Sequence, residues 1–150
     1  MIDRIKKLSN DIFSEVVSIR RHIHQHPELS FNEFKTSAYI KSILNKWEIP
    51  FTDNIAKTGV VVLIRGKNPT VRAIALRADF DALPILEENN IDYCSVNKGV
   101  MHACGHDAHT ASLLGVLKIL DTLKNEWEGS VKFIFQPAEV QFPGGAKQMI

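Results

Sequence analysis

Apolar residues in the first part of the chain recur every three or four positions: Ile5, Leu8, Ile12, Val16, Ile19 and Ile23. That spacing predicts one amphipathic helix, stopped or kinked at Pro27, which lacks an N–H and blocks the preceding turn. Ser30-Phe31-Asn32-Glu33 reads as a capping box opening a second helix. Its apolar face would use Phe34, Ala38, Ile40 or the stem of Lys41, Ile43, Leu44 and Trp47, with Pro50 closing the segment. The period changes at Gly59. Val60 to Ile64 is a continuous apolar run rich in β-branched residues, which predicts a strand. Gly66-Lys67-Asn68-Pro69 is a turn and Val71 to Leu76 the next strand. The short link predicts antiparallel pairing of the two. Helical spacing returns from His109 to Leu123 through Leu113, Leu114, Leu117, Leu120 and Leu123. Gly115 costs that helix about 1 kcal/mol against alanine, which points to close packing on a neighbour. Val131 to Phe135 is another strand, and Gly144-Gly145-Ala146 opens a further helix. Helix, strand, strand, helix, strand is the order of an α/β fold, a layered sheet with flanking helices. The strands are apolar on both faces, as strands covered on two sides require.

A chain of 150 residues fits one domain. Lys plus Arg total 18 and Asp plus Glu 17, a balance that gives no electrostatic argument for a nucleic-acid or membrane partner. Arg4, Lys6 and Lys7 alternate with apolar residues as the wet side of a helix does. No apolar stretch approaches the ~20 residues that cross a bilayer, and the N-terminus lacks the pattern of a secretory signal. The expected location is cytoplasmic. Two cysteines, Cys94 and Cys104, make a poor disulfide framework.

The chemistry concentrates in Met101 to Ala111, MHACGHDAHTA. A thiol, three imidazoles and a carboxylate lie between His102 and His109. A core does not need that composition, because each group demands a partner when buried, whereas a divalent metal does. Cys104 and His106 can converge on one ion if the backbone turns at Gly105. In a helix they would diverge, so the site should precede the next helix. A Cys–His dyad is the rival use. His102 and His109 either join the metal or hydrogen-bond a carbonyl or carboxylate, the blander reading being favoured. Asp107 either caps the following helix or receives a proton from a ligand imidazole. Asp79 and Asp81 share a parity at a strand end, where α/β folds gather functional groups, and Arg77 is placed to pair with Asp79. Glu139 follows a strand end, where a carboxylate can exchange a proton with water and a leaving amine.

At these residues the chain resembles the M20 metallopeptidase and amidohydrolase family. The likeness is closer to the branch that hydrolyses N-acyl amino acids, hippurate-like amides and indole-acetyl amino acid conjugates. It rests on RRHIHQHPELSFNEFKTS from Arg20, ALRADFDALPI from Ala75, MHACGHDAHTA from Met101, and FQPAE followed by PGGAK, in family order over essentially all of the chain. The resemblance implies that residues 1–150 are the N-terminal portion of a zinc-peptidase-like catalytic domain, without the small domain that commonly mediates homodimerisation. It implies Cys104 and His106 as metal ligands. Glu139 and Asp81 would be catalytic, the first as acid/base toward the attacking water, the second as support of the metal site. The cofactor would be a divalent metal, zinc or manganese first, cobalt or nickel otherwise, with two ions in the complete site. The substrate would be an N-acyl amino acid or small peptide. One departure is plain: the family normally has a second glutamate directly after the first, as a ligand, and here that position is Val140. The expectation is a truncated chain inactive alone. The alternative is a non-catalytic remnant or weak binding and assembly module. Two ligands fall short of the three or four usual for zinc, so binding should be weak unless His102, His109, Asp79 or Asp81 completes the shell.

Overall fold

The apolar runs do form the sheet, but not in the predicted pairing. The computed structural model describes residues 1–150. Its elements are α1 (Ile2–Gln25), α2 (Phe34–Lys46), β1 (Thr52–Ile55), β2 (Gly59–Arg65), β3 (Ala73–Asp79), α3 (His106–Thr122), β4 (Ser130–Gln136) and α4 (Gly145–Met149). The strand order is β1-β2-β4-β3. β2 and β3 therefore do not pair with each other. β4 lies between them, antiparallel to β2 with Val62 opposite Phe133, and parallel to β3 with Leu76 opposite Phe133. The Gly66–Arg72 link is no hairpin because its hydrogen bonds go elsewhere. Gly66 N–H donates to the Gly129 carbonyl (2.9 Å) and Lys67 N–H to that of Trp127 (2.8 Å). The link thus wraps the start of β4. β3, α3 and β4 form a crossover unit, the connection that parallel strands need. β1 was not foreseen. Its sequence, Thr-Asp-Asn-Ile, is short and polar and gives no period-2 signal.

One face of the sheet carries Val60, Val62, Ile64, Ala78, Val131, Phe133 and Phe135 into a single core. Against it pack Ile19 and Ile23 of α1, Ile40 and Leu44 of α2, and Leu114 and Leu117 of α3. The other face is not covered by a helix layer. Leu63 and Lys132 are exposed there and Val61 and Ile134 half-buried, with Ala146, Met149 and Ile150 from the short α4 and its end beside Val61 and Ile134. Gly115 fulfils its predicted role. A Cβ built on it would lie 3.0 Å from Val16 Cγ2, so the missing side chain is what lets α1 approach α3.

The capping box does not form. The residue before α2 is Glu33, and no side chain of its own caps the helix. Glu28 does that work from a distance, its Oε2 accepting from Thr36 N–H (2.8 Å) and Thr36 Oγ1 (2.9 Å). Ser30 and Glu33 are drawn instead into tertiary bonds. Phe34 stays exposed, while Thr36 and Ser37 are buried in its place.

Candidate functional site

Four segments meet beyond the carboxyl ends of the parallel pair β3 and β4, where open α/β sheets place ligands. Asp79 ends β3 and His106 begins α3. Asp81 lies two residues past β3, and Glu139 three past β4. Backbone bonds fix the loops between them. Ala82 N–H donates to the Glu28 carbonyl (2.8 Å), and Leu83 and Met101 exchange two bonds of 3.0 Å. This brings Ser30, Asp81 and the His-rich run together.

Asp81 is buried and fully engaged. Its Oδ2 accepts from Ser30 Oγ (2.6 Å) and Val140 N–H (3.1 Å), and Oδ1 lies 3.2 Å from His106 Nδ1. Burial opposes its charge. The bonds from His106, Ser30 and the Val140 and Glu139 backbone outweigh that and hold its carboxyl far below the usual range. His106 Nδ1 also lies 2.8 Å from the Asp81 carbonyl, so this nitrogen carries the proton and donates. That fixes the tautomer and leaves Nε2 with a free lone pair, the arrangement by which an outer carboxylate can orient an imidazole toward an ion. Burial depresses the His106 pKa, but the Asp81 bond and the Asp79 and Asp81 charges prevail and raise it.

His106 Nε2 faces two carboxylates, Asp79 Oδ2 at 3.7 Å and Glu139 Oε2 at 3.9 Å. Asp79 is paired with Arg77 (2.6 Å), as its parity predicted, and its Oδ1 lies 2.8 Å from His109 Nδ1. Desolvation would raise the Asp79 pKa, yet the His109 bond and the His106 and Arg77 charges lower it. Asp79, His106 and His109 each present a ligand atom within 4.8 Å of the others. Two imidazoles and a carboxylate suit a divalent ion of zinc type.

The other sequence-derived candidates fall differently. Cys104 is exposed, unpaired with Cys94 and outside that three-residue group. Gly105 does turn the backbone, at φ 79°, and Cys104 precedes α3 as expected while His106 is its first residue. Glu139 is half-exposed, with 46% of its side chain accessible. Val140 offers no side-chain donor, and its contribution is a backbone N–H, which any residue there but proline would supply. Asp107 does not cap α3. It is wholly buried, accepting from Arg20 Nε (2.7 Å) and His24 Nδ1 (2.8 Å). His24 in turn reaches Glu87 at 3.0 Å. His102 is buried with neither ring nitrogen hydrogen-bonded. Burial first, then the nearby His24 and His106, outweigh the pull of Asp107 and push its pKa down to about 4, so it is neutral at physiological pH.

Sequence reasoning gave Glu33 only a place in a capping box. Its carboxylate is fully buried, and Oε1 accepts from Ala138 N–H (2.8 Å) while Oε2 accepts from Thr58 Oγ1 (3.0 Å). Ala138 has φ 49°, a strained value for a residue with a Cβ. Glu33 therefore pins the turn that carries Glu139. No local signal marks this, since the partners are 105 and 25 positions away.

Comparison with known proteins agrees with the fold and the motifs. Residues 75–150 match peptidase family M20/M25/M40. The chain is 46% identical over 148 residues to an N-acyl-L-amino acid amidohydrolase of Geobacillus stearothermophilus, covering 99% of this chain and 40% of that protein. It is 47% identical over 133 residues to an N-acetyl-L-cysteine deacetylase of Bacillus subtilis, covering 89% and 32% respectively. Among solved structures it is similar to the Bacillus subtilis YXEP protein, described as a dinuclear metal-binding peptidase from the M20 family. There the TM-score is 0.85 at 43% identity, over 93% of this chain and 39% of that one. The chain thus spans well under half the length of these relatives.

Proposed function

The chain belongs to the M20/M25/M40 peptidase family, and from that premise we propose that residues 1–150 are the N-terminal, metal-holding part of a catalytic domain that hydrolyses the amide bond of N-acyl amino acids or small peptides. The observation that carries this reading is the clamp on His106, whose Nδ1 is bound by Asp81 and whose Nε2 faces Asp79 and Glu139. His106 and Cys104 are the ligands that this segment contributes. Zinc or manganese, with cobalt or nickel as substitutes, would act here as a Lewis acid on the amide carbonyl and lower the pKa of water.

The residues of the chain divide the remaining work. Asp81 is a positioning residue, because it touches His106 and not the space in front of Nε2. Glu139 is the proton carrier. Half-exposed and beside His106 Nε2, it takes a proton from the attacking water as the C–O bond forms. It returns that proton to the nitrogen as the C–N bond breaks, so the products are a carboxylic acid and a free amine. The substrate is a small cytoplasmic molecule, and a homodimer forms only where the family's small domain is present. No helix is long and apolar enough to cross a membrane. Val140, without a donor atom, favours a second reading of the chain on its own as a folded remnant that holds metal without turnover.

The test is a chimera in which this chain replaces the matching part of the Geobacillus amidohydrolase, with Val140→Glu. We expect metal-dependent cleavage of N-acetyl amino acids. Glu139→Gln should lower it at least ~100-fold with metal content unchanged, because glutamine keeps the size but cannot take a proton. A folded, metal-loaded chimera with no amidase activity, or one indifferent to Glu139→Gln, would overturn the assignment.

A further inference from the structure

We propose that Glu33 is a positioning residue for Glu139, one half of a two-point clamp that aims the turn after β4 at His106. The proposal rests on the hydrolase reading for the role of Glu139. It goes beyond that reading by assigning the aim of this side chain to a carboxylate buried just before α2. Glu139 cannot aim itself. Its side chain is 46% accessible and reaches His106 Nε2 only at 3.9 Å, too far for a hydrogen bond. Its direction is set by the backbone on either side. Ala138 N–H, just before it, donates to Glu33 Oε1 (2.8 Å), and Val140 N–H, just after it, donates to Asp81 Oδ2 (3.1 Å). Both acceptors are buried carboxylates, Glu33 at 0% and Asp81 at 1% exposure. The Ala138 carbonyl in turn accepts from Gly145 N–H (2.8 Å). Glu139 thus sits between two anchored peptide groups.

The turn needs such anchoring because it is strained. Ala138 has φ 49°, where its Cβ crowds the following carbonyl. Such a conformation persists only when its surroundings over-determine it. Glu33 can impose it because Glu33 is itself held. Its Oε2 accepts from Thr58 Oγ1 (3.0 Å), and Ser37 Oγ, in the first turn of α2, donates to the Thr58 carbonyl (2.6 Å). The acceptor is therefore fixed from α2 and from the residue that precedes β2. The same short segment supplies the other half of the clamp, since Ser30 Oγ donates to Asp81 Oδ2 (2.6 Å). Ser30 and Glu33, the two ends of the capping box that does not form, are spent on the two sides of Glu139 instead.

Amide hydrogen exchange of the 150-residue chain, read residue by residue by NMR, tests the clamp. In the parent, Ala138 N–H should be protected. Glu33→Leu fills the same space without an acceptor and should speed Ala138 exchange at least ~10-fold more than that of Phe133 and Phe135 in β4, whereas Glu33→Gln, whose amide oxygen still accepts, should not. The chimera above then reads the effect on turnover. There Glu33→Leu should lower kcat at least ~10-fold, with KM within about threefold and metal content unchanged, because misplacing a reacting group by about 1 Å costs on the order of 100-fold. Glu33→Gln should keep kcat within about threefold. A residue that acts only through Glu139 has nothing more to lose once Glu139 is replaced, so in the Glu139→Gln background Glu33→Leu should cost less than about threefold. A merely structural role would lower the rate equally in both backgrounds, and that result would overturn the proposal. Unprotected Ala138 in the parent, a measurement that needs no variant to fold, would overturn it as well. A protected Ala138 in a folded, metal-loaded chimera without amidase activity would instead overturn the hydrolase reading.

Discussion

Glu33 shows how much a single buried carboxylate sets here. It is fully buried, so desolvation raises its pKa above the ordinary 4.5, against the lowering effect of the Ala138 and Thr58 bonds. The sign of the pH effect follows. With the folded pKa above the unfolded one, the folded state holds the proton more tightly. The stability that Glu33 contributes is whole below about pH 4.5 and is lost as pH rises through the folded value. Glu33→Gln keeps an acceptor for Ala138 N–H and never ionises. Its thermal stability relative to the parent should therefore improve progressively from pH 4.5 upward. Parallel curves for parent and variant between pH 4 and 7 would show that Glu33 is not strained by its charge. Val140 is the opposite case, a position whose contribution is its backbone N–H and whose side chain adds no donor. Val140→Glu returns one oxygen ligand, yet in the 150-residue chain alone it should not produce cleavage of N-acetyl or N-benzoyl amino acids in a sensitive amidase assay. Measurable metal-dependent turnover by that variant would mean the chain already holds a complete ligand set.

At the scale of elements, the site depends on how closely α1 and α3 approach. α3 carries His106 and His109 at its start, and its position is set by Gly115 nine residues further on, where Val16 packs into the gap. Gly115→Ala gains about 1 kcal/mol of helix propensity but puts a Cβ 3.0 Å from Val16 Cγ2, so the two effects should nearly cancel. Gly115→Leu has no such offset and should cost about 1–3 kcal/mol by overpacking. Denaturant unfolding of the two variants separates these outcomes, and a leucine variant as stable as the parent would show the helices free to part. The same junction explains Asp107. Its carboxylate, taking Arg20 and His24 of α1, ties the second residue of α3 to the first helix. The RRHIH segment thus acts on the site by holding the helix that carries it.

At the largest scale, residues 1–150 form a one-sided layer. Three helices cover one face of the sheet, while Leu63 at 39% exposure lies on the other and β3 ends the strand order with a free edge. Val71 and Ile74, at 60% and 55%, flank that edge. Exposed edges and apolar faces recruit other chains. The chain should therefore self-associate with rising concentration and bind a hydrophobic dye. Leu63→Lys with Ile74→Lys should shift it toward monomer. Sedimentation that finds a monodisperse parent, with a sharp cooperative melt and no dye binding, would contradict this.

Local pattern determined the existence of α1, α2 and α3, whose apolar residues repeat at helical spacing, and of β2, β3 and β4, whose short runs are apolar and largely β-branched or aromatic. Composition alone marked the His-rich run, since a core does not pay for three imidazoles and a thiol without a use. Local sequence could not say that β4 inserts between β2 and β3. Pairing is a long-range competition between segments, invisible within any one strand. Nor could it tell that Ser30 serves Asp81, that Glu33 serves Ala138, or that Asp79 and His109 join His106 more closely than Cys104 does. A short polar side chain advertises its hydrogen-bonding capacity but not its partner, and here the partners lie 30 to 105 positions away. The sequence named the chemistry, and the tertiary fold chose which atoms face one another, because that depends on where loops from distant segments are tied.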